Sequence, residues 1–454
     1  MKELKIGTSW VRGVVGDALT PELVVNFACA FATWCGGGPV AIARDTRRSS
    51  GTVRAAVVSG LLSAGCEVID MGVCSSALLS FAVRELGAAG GISITGGHND
   101  ARWNALKFIG PDGALLNAVK SEELLDIYHA SSFLLVPWDR IRAVNAEPKV
   151  VERYLAHLLA AVDAPTIRER HFRIAVDFCN GSCGAIASRF LGALGCTVLP
   201  VNDEPTGEFA HLPAPTPSNM RQLAALMRCF QADLGAALNV DGDRVAFVTA
   251  KGLPLSEEYS LPLAARIRLT RRPGPVAANY STSLMIDAVA REFGQRVIRT
   301  AVGESYVIDQ GLTENAVLAG EGSGGVAVLP SCMTFDGLLS IALVLEQMAG
   351  SGESLDALVE RLPRYFMRKH ELPCPPNLVY RVIDRFRYHY AREQPECIDG
   401  VRVTWRDSWL HVRASNTEPM LRIVVEAETS DRAGSVMEEA LNYARSMTYG
   451  HGGV

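Results

Sequence analysis

The sequence has no apolar run long enough to cross a bilayer as a helix, which takes about 20 residues, and this excludes a helical membrane span. It has no excess of positive charge: 44 Lys and Arg stand against 49 Asp and Glu, a net charge of −5. A chain so balanced offers no basic face to a nucleic acid, so any anionic ligand must be held by local donors. The amino terminus, MKELKIGTSW, lacks the order of a secretion signal and enters a strand-like pattern at once; the expected location is the cytoplasm. Cysteine is present without pairing spacing. The 11 cysteines are scattered, Cys29, Cys66, Cys179 and Cys196 among them in apolar segments. Cys179 and Cys183 match neither a C-x-x-C pair nor a zinc knuckle, so reduced, buried thiols are expected. With 48% hydrophobic and 20% charged residues there is no case for disorder. A chain of 454 residues is long enough for three or four domains, each with its own core.

A weak internal repeat runs through the first three quarters. PVAIARD (39–45) leads through a Ser-rich turn into the apolar helix VRAAVVSGLLSA, and Gly65 opens the strand CEVIDMG. FRIAVDF (172–178), a helix through FLGAL and Gly195 before CTVLPVN make a second copy. PVAANYS (275–281), SLMIDAVAREF and Gly294 before QRVIRTAVG make a third. Strand, small-residue loop, helix, glycine cap and strand is the pattern of a βαβ crossover. An earlier helix is signalled by Thr20 as N-cap, Pro21 at its first position and Glu22 in its first turn. The last part alternates short strands (VRVTW, LHVRA, LRIVVEAE) with helices expected at 376–393 and 431–446, and prolines stiffen a linker at PCPPN (373–377). The expected fold class is α/β: three βαβ-type α/β/α domains with mixed sheets and a smaller C-terminal α+β domain around a central cleft, with limits at 1–148, 149–252, 253–370 and 371–454.

Four loops carry candidate chemistry. ITGGHNDARWNALKF (94–108) contains a Gly-rich turn of the kind that joins strand to helix, and GTSWVRG (7–13) lies upstream. LNVDGDRVAF (238–247) sets carboxylates at alternating positions, suited to one hard cation, although Asp-Gly between apolar strands is also a favoured hairpin turn. AGEGSGGVAV (319–328) places Glu321 between glycines that let the backbone approach a ligand. HVRASNTEPMLRIVVEAE (411–428) offers a fork of donors, Arg413, Ser415, Asn416 and Thr417 with Arg422 beyond, suited to a dianionic phosphate.

Together these loops resemble the α-D-phosphohexomutase family of phosphoglucomutases and phosphomannomutases. The first is similar to the family's T-A-S-H-N-P catalytic loop, the second to its D-x-D-x-D-R metal loop, the third to its G-E-x-S/N-G sugar loop and the fourth to its R-P-S-G/N-T-E-P phosphate loop. ARDTRRSS (43–50), NGSCG (180–184), PTGEFAHLPAPTPSN (205–219) and TAVGESY (300–306) extend the resemblance over nearly the whole chain. It implies catalytic roles for Arg12, His98 and Lys107, metal ligation by Asn239, Asp241 and Asp243, and substrate binding by Arg244, Glu321, Ser323, Arg413, Ser415, Asn416, Thr417 and Arg422.

The departures concentrate where the family transfers phosphate. Gly97 stands at the phosphoserine, Asp100 at the proline, Asn239 at the first metal aspartate, and CSSAL (74–78) replaces a P-T-P. Two carboxylates without a phosphoserine imply Mg²⁺ that is weakly bound or ligand-dependent. The expected partner is a small phosphosugar, with no nucleic acid and no membrane. Three readings follow: a phosphosugar-binding enzyme of rewired acid–base or phosphoryl chemistry, a mutase whose acceptor has moved to Asp100 or His98, and a non-catalytic sugar-phosphate sensor or partner subunit. Retention of His98 and Lys107 favours an enzyme.

Overall fold

Thr20 caps the helix Pro21–Trp34 as its sequence predicts, accepting from the Leu23 N–H at 3.4 Å with Pro21 in the first turn. This helix and Ser50–Ser63 cover one face of the first sheet, burying Phe27, Phe31 and Val57. The computed structural model describes residues 4–415 and 419–448. Among them no helix is long and apolar enough to cross a membrane.

The three repeats are three parallel crossovers. Val40–Arg44 pairs with Val68–Val73 across the helix Ser50–Ser63, Arg173–Asp177 with Thr197–Val201 across Gly184–Ala193, and Val276–Asn279 with Val297–Thr300 across Met285–Glu292. Gly65, Gly195 and Gly294 take positive φ after these helices, where a side chain would strain the backbone. The first sheet has seven strands in the order Lys5–Ile6, Trp10–Val14, Trp103–Ile109, Gly90–Ile94, Val40–Arg44, Val68–Val73, Val144–Asn145. Three four-stranded sheets follow, the last wholly antiparallel. The architecture is four α/β units with mixed sheets in the first three.

Each sheet also contains an antiparallel hairpin, and the four candidate loops are the turns of these hairpins. They join Gly90–Ile94 to Trp103–Ile109, Leu234–Leu238 to Val245–Thr249, Leu318–Glu321 to Gly325–Val328, and Ser408–Ala414 to Met420–Ala427. The loop after residue 94 therefore returns into the sheet and does not lead to a helix. The C-terminal unit also begins earlier than expected. Phe366–Pro373 pairs along its whole length with Met420–Ala427, so the expected limit at 370/371 cuts a strand. The prolines of 373–377 end that strand and open the helix Pro376–His389, which stops short of 393 at a 3₁₀ turn, Ala391–Glu393. One apolar core runs through the first three units, from Leu79 and Val83 through Phe178, Phe190 and Phe247 to Leu338 and Leu345. The last unit has its own, with Phe386, Val412 and Ile423.

Candidate functional site

Hairpin register decides which side chains reach the cleft. Lys107 lies opposite Trp10 on one neighbouring strand and Ser93 on the other, and Arg12 lies opposite Ala105. Both cations are thus rooted in the middle of a sheet, and both are buried. The loops are fastened to one another and to the starts of neighbouring helices. Gly337 N–H donates to the Gly242 carbonyl at 2.9 Å, Ser76 N–H to the Asp241 carbonyl at 3.1 Å, and Val245 N–H to the Gly324 carbonyl at 3.1 Å. Two adjoining chambers of about 220 Å³ and about 540 Å³ result. His98, Arg244, Val302, Glu321, Arg413 and Arg422 line both.

At one end, Gly97 takes φ +56, and a Cβ built on it would meet only Asp241 Oδ2, at 4.0 Å. Space is open where a side chain would point. Arg12 Nη1 donates to Asn99 Oδ1 at 2.6 Å and its guanidinium lies 4.4 Å over the Trp10 ring. Burial, aided by Arg244, lowers the Arg12 pKa to about 10, and its Nε is buried without a partner among the described residues. Burial and the positive charges of Arg244 and Arg12 hold the His98 pKa well below its usual value, so the imidazole is neutral. Asp100 is not in the cleft lining. Its Oδ1 accepts from Arg102 N at 2.9 Å and its Oδ2 from Arg102 Nη2 at 2.8 Å, and this pairing lowers its pKa. Asp100, expected as an alternative acceptor, thus pairs with Arg102 in this structure and does not line the cleft.

The loop 239–243 is arranged as a closed network. Lys107 Nζ lies 2.7 Å from Asp241 Oδ2 and 2.9 Å from Asp243 Oδ2. Asn239 Nδ2 donates to Asp241 Oδ1 at 2.9 Å and to Asp243 Oδ1 at 2.6 Å. Asn239 Oδ1 accepts the Arg244 N–H at 3.1 Å, which fixes the amide with its hydrogens toward the carboxylates. Mg²⁺ requires oxygen ligands at about 2.0–2.1 Å in a near-octahedral shell. Asn239 presents none, and every carboxylate oxygen already accepts from nitrogen. In this arrangement Asn239, expected as a metal ligand, acts as a donor to both carboxylates, and the cradle presents no free oxygen to a divalent cation. Among the described residues no group of three His, Cys, Asp or Glu side chains is placed to hold a metal. Burial alone would lower the Lys107 pKa, but the two aspartates outweigh it and raise it. Burial likewise works against the Asp243 charge, and Lys107 and Arg244 overcome it.

At the other end, Glu321 Oε1 accepts from Asn279 Nδ2 at 2.7 Å and Gly303 N at 2.8 Å. Its Oε2 accepts from Ser323 Oγ at 3.3 Å. Arg413 Nε donates to Asp399 Oδ2 at 2.9 Å. Arg422 pairs with Glu371 at 3.3 Å, while its Nε is buried without a partner among the described residues. Ser415 N–H donates to the Met420 carbonyl at 3.0 Å. Asn416 and Thr417 lie outside the described residues.

Several residues of the site escaped the sequence reading. Arg47, ion-paired with Asp45, donates from Nη2 to the carbonyls of Gly97 at 3.1 Å and Asn99 at 2.6 Å, so it holds the loop from beneath. Glu304 lines the smaller chamber, its pKa pushed up to about 7 by burial and by Asp243. Trp10 forms a wall beside Arg12. The only sequence signal for Arg47 was its place in ARDTRRSS, and for Glu304 its place in TAVGESY.

Comparison with known proteins agrees along the whole chain. Four domain profiles of phosphoglucomutase/phosphomannomutase match: α/β/α domain I over residues 3–134, domain II over 152–252, domain III over 256–366 and the C-terminal domain over 380–442. A probable phosphoglucosamine mutase of Methanopyrus kandleri is 36% identical, with 97% of each chain covered. The crystal structure of a phosphoglucomutase/phosphomannomutase family protein from Burkholderia thailandensis superimposes with a TM-score of 0.85 at 26% identity, covering 98% of each chain. The N-acetylphosphoglucosamine mutase of Aspergillus fumigatus, solved with GlcNAc-6P and magnesium, shares the fold at a TM-score of 0.58 and 13% identity, covering 86% of this chain and 94% of that one.

Proposed function

The chain belongs to the phosphoglucomutase/phosphomannomutase family of sugar-phosphate enzymes, and from that premise we propose that it binds a hexose phosphate across its two chambers without forming a phosphoserine. The name of the Methanopyrus kandleri relative points to an amino-hexose phosphate. Arg413 and Arg422, with Ser415, Asn416 and Thr417, hold the phosphate on the non-reacting end by charge-assisted hydrogen bonds. Glu321 and Ser323 hold sugar hydroxyls. Arg12 and Arg244 face the reacting end, where the open space over Gly97 and the unpartnered Arg12 Nε suit a second phosphate.

The observation that carries this reading is Gly97 itself. A covalent phosphoryl intermediate needs a nucleophilic side chain, and this position has none. His98 stays in the cleft as a neutral imidazole able to hydrogen-bond a ligand, and Lys107 is placed to stabilise negative charge. Acid–base or phosphoryl chemistry on the bound sugar phosphate is therefore assigned to these groups, not to a serine cycle. Magnesium belongs to this reading only as a weak or ligand-dependent ion, with oxygens of a bound phosphate supplying what Asn239 does not. Calorimetry with a hexose 1,6-bisphosphate, a hexose 6-phosphate and inorganic phosphate tests the proposal. Tighter binding of the bisphosphate is expected, and equal affinity for all three would overturn it. A phosphoryl label trapped on His98 would instead establish a relocated acceptor. Tight binding with no turnover of any phosphosugar would establish a sensor.

A further inference from the structure

We propose that the ammonium of Lys107 is the resident counter-ion of Asp241 and Asp243 in the ligand-free protein, standing where a divalent cation would otherwise neutralise them, and that Asn239 makes this arrangement stable. The inference rests on the reading of 239–243 as a metal loop and goes beyond it.

Three observations support it. The ammonium lies within 2.9 Å of both carboxylates, and Lys107 is buried, with its backbone paired on both sides of its strand. The remaining carboxylate oxygens are taken by the two amide hydrogens of Asn239. Ser76 Oγ adds a donor to Asp241 Oδ2 at 3.3 Å. Two buried negative charges with one buried ammonium and a neutral amide approach balance, with Arg12 and Arg244 close by. A third carboxylate at 239 would leave excess negative charge, which a divalent ion satisfies and a lysine does not. The orientation of the amide is part of the device. Because its oxygen is held by Arg244 N–H, turning Asn239 into a ligand breaks that bond and both donations to the aspartates. A cation entering the loop must therefore displace a buried ammonium and rotate an anchored amide. Removing a partner from a buried ion pair is costly, so Lys107 competes with metal on favourable terms.

Loss of the free Mn²⁺ signal in electron paramagnetic resonance measures this on the full chain without reference to activity. The wild type is expected to bind Mn²⁺ weakly. Lys107→Met should bind it about 10–100-fold more tightly, the scale on which groups near a metal tune its affinity, and Asn239→Asp should tighten it while Lys107 is still present. The double variant should bind tightest. Thermal unfolding shows which variants fold; if Lys107→Met does not, Asn239→Asp decides. Wild-type binding as tight as that of Asn239→Asp, or no tightening in a folded Lys107→Met, overturns the proposal. Affinities for a hexose bisphosphate, a hexose 6-phosphate and inorganic phosphate measured on the same wild-type sample test the ligand reading separately, since that reading fails if the bisphosphate binds no more tightly than the others.

Discussion

Arg413 is buried, lines both chambers and spends its Nε on Asp399; in the proposed function its other guanidinium hydrogens meet the ligand's phosphate. Replacing it by alanine removes charge-assisted hydrogen bonds that contribute about 1.5–3 kcal/mol. Hexose-phosphate affinity in Arg413→Ala, measured by calorimetry, should fall by that amount, and unchanged affinity would remove Arg413 from the phosphate site. Gly97 gives a different kind of test. The space beside it is open, but its φ of +56 strains any other residue, so Gly97→Ser should lower stability by about 1–2 kcal/mol in denaturant unfolding. Mutase turnover should recover little in that variant unless Asn239→Asp accompanies it. At this scale the sequence was informative about identity and silent about direction. Gly97, His98, Lys107 and the arginines could be picked out from motifs, because their chemistry is in the residue type. That Asn239 turns its hydrogens inward depends on Arg244 N–H, and that Asp100 turns away depends on Arg102. Neither contact has a pattern in the chain.

The elements were legible where periodicity is local and obscure where pairing is long-range. Each βαβ unit announced itself by an apolar strand, a helix and a glycine. The hairpin character of the loop after residue 94 did not, because T-G-G-H-N suits a strand–helix turn equally well. The strand Phe366–Pro373 was missed because its half-exposed, charged sequence FMRKHELP shows weak alternation; its partner, Met420–Ala427, is remote in the chain. One element carries a pH signature. His211, in the loop after Thr197–Val201, hydrogen-bonds through Nε2 to Asp177 Oδ2 at 3.0 Å, at the end of Arg173–Asp177. Burial disfavours its charge, but the bond to Asp177 outweighs this and holds its pKa up to about 11. The folded state therefore keeps a proton that the unfolded chain gives up near pH 6.5. The stabilisation is complete below pH 6.5 and is lost as pH rises toward about 11. Denaturant unfolding over that window should show a falling stability that is flatter in His211→Asn. An identical slope in both proteins would exclude this pair as its source.

Over the whole molecule, the cleft exists because the fourth unit is tied to the third at its margin. Lys369 bridges Glu257 at 3.1 Å and Glu258 at 2.8 Å, Val302 N–H donates to Asp399 Oδ2 at 2.9 Å, and Ser281 Oγ meets His411 Nδ1 at 2.9 Å. These contacts bring Arg413 and Arg422 to face Arg12 and Arg244 across the chambers, so one ligand can engage cations at both ends. The convergence was expected from the four motifs, while the contacts that produce it were not, since they join residues 97 to 130 positions apart. In the proposed function the reacting end holds a phosphate and does not accept one covalently. The most direct test incubates the wild-type protein with a hexose 1,6-bisphosphate labelled in both phosphoryl groups, then separates protein from sugar after denaturation. Saturable binding is expected before denaturation, at least about tenfold tighter than for the monophosphate, as one further charged contact would give, with no label on the protein afterwards. Label retained covalently on the chain, together with rapid exchange between hexose 1-phosphate and 6-phosphate, would contradict it.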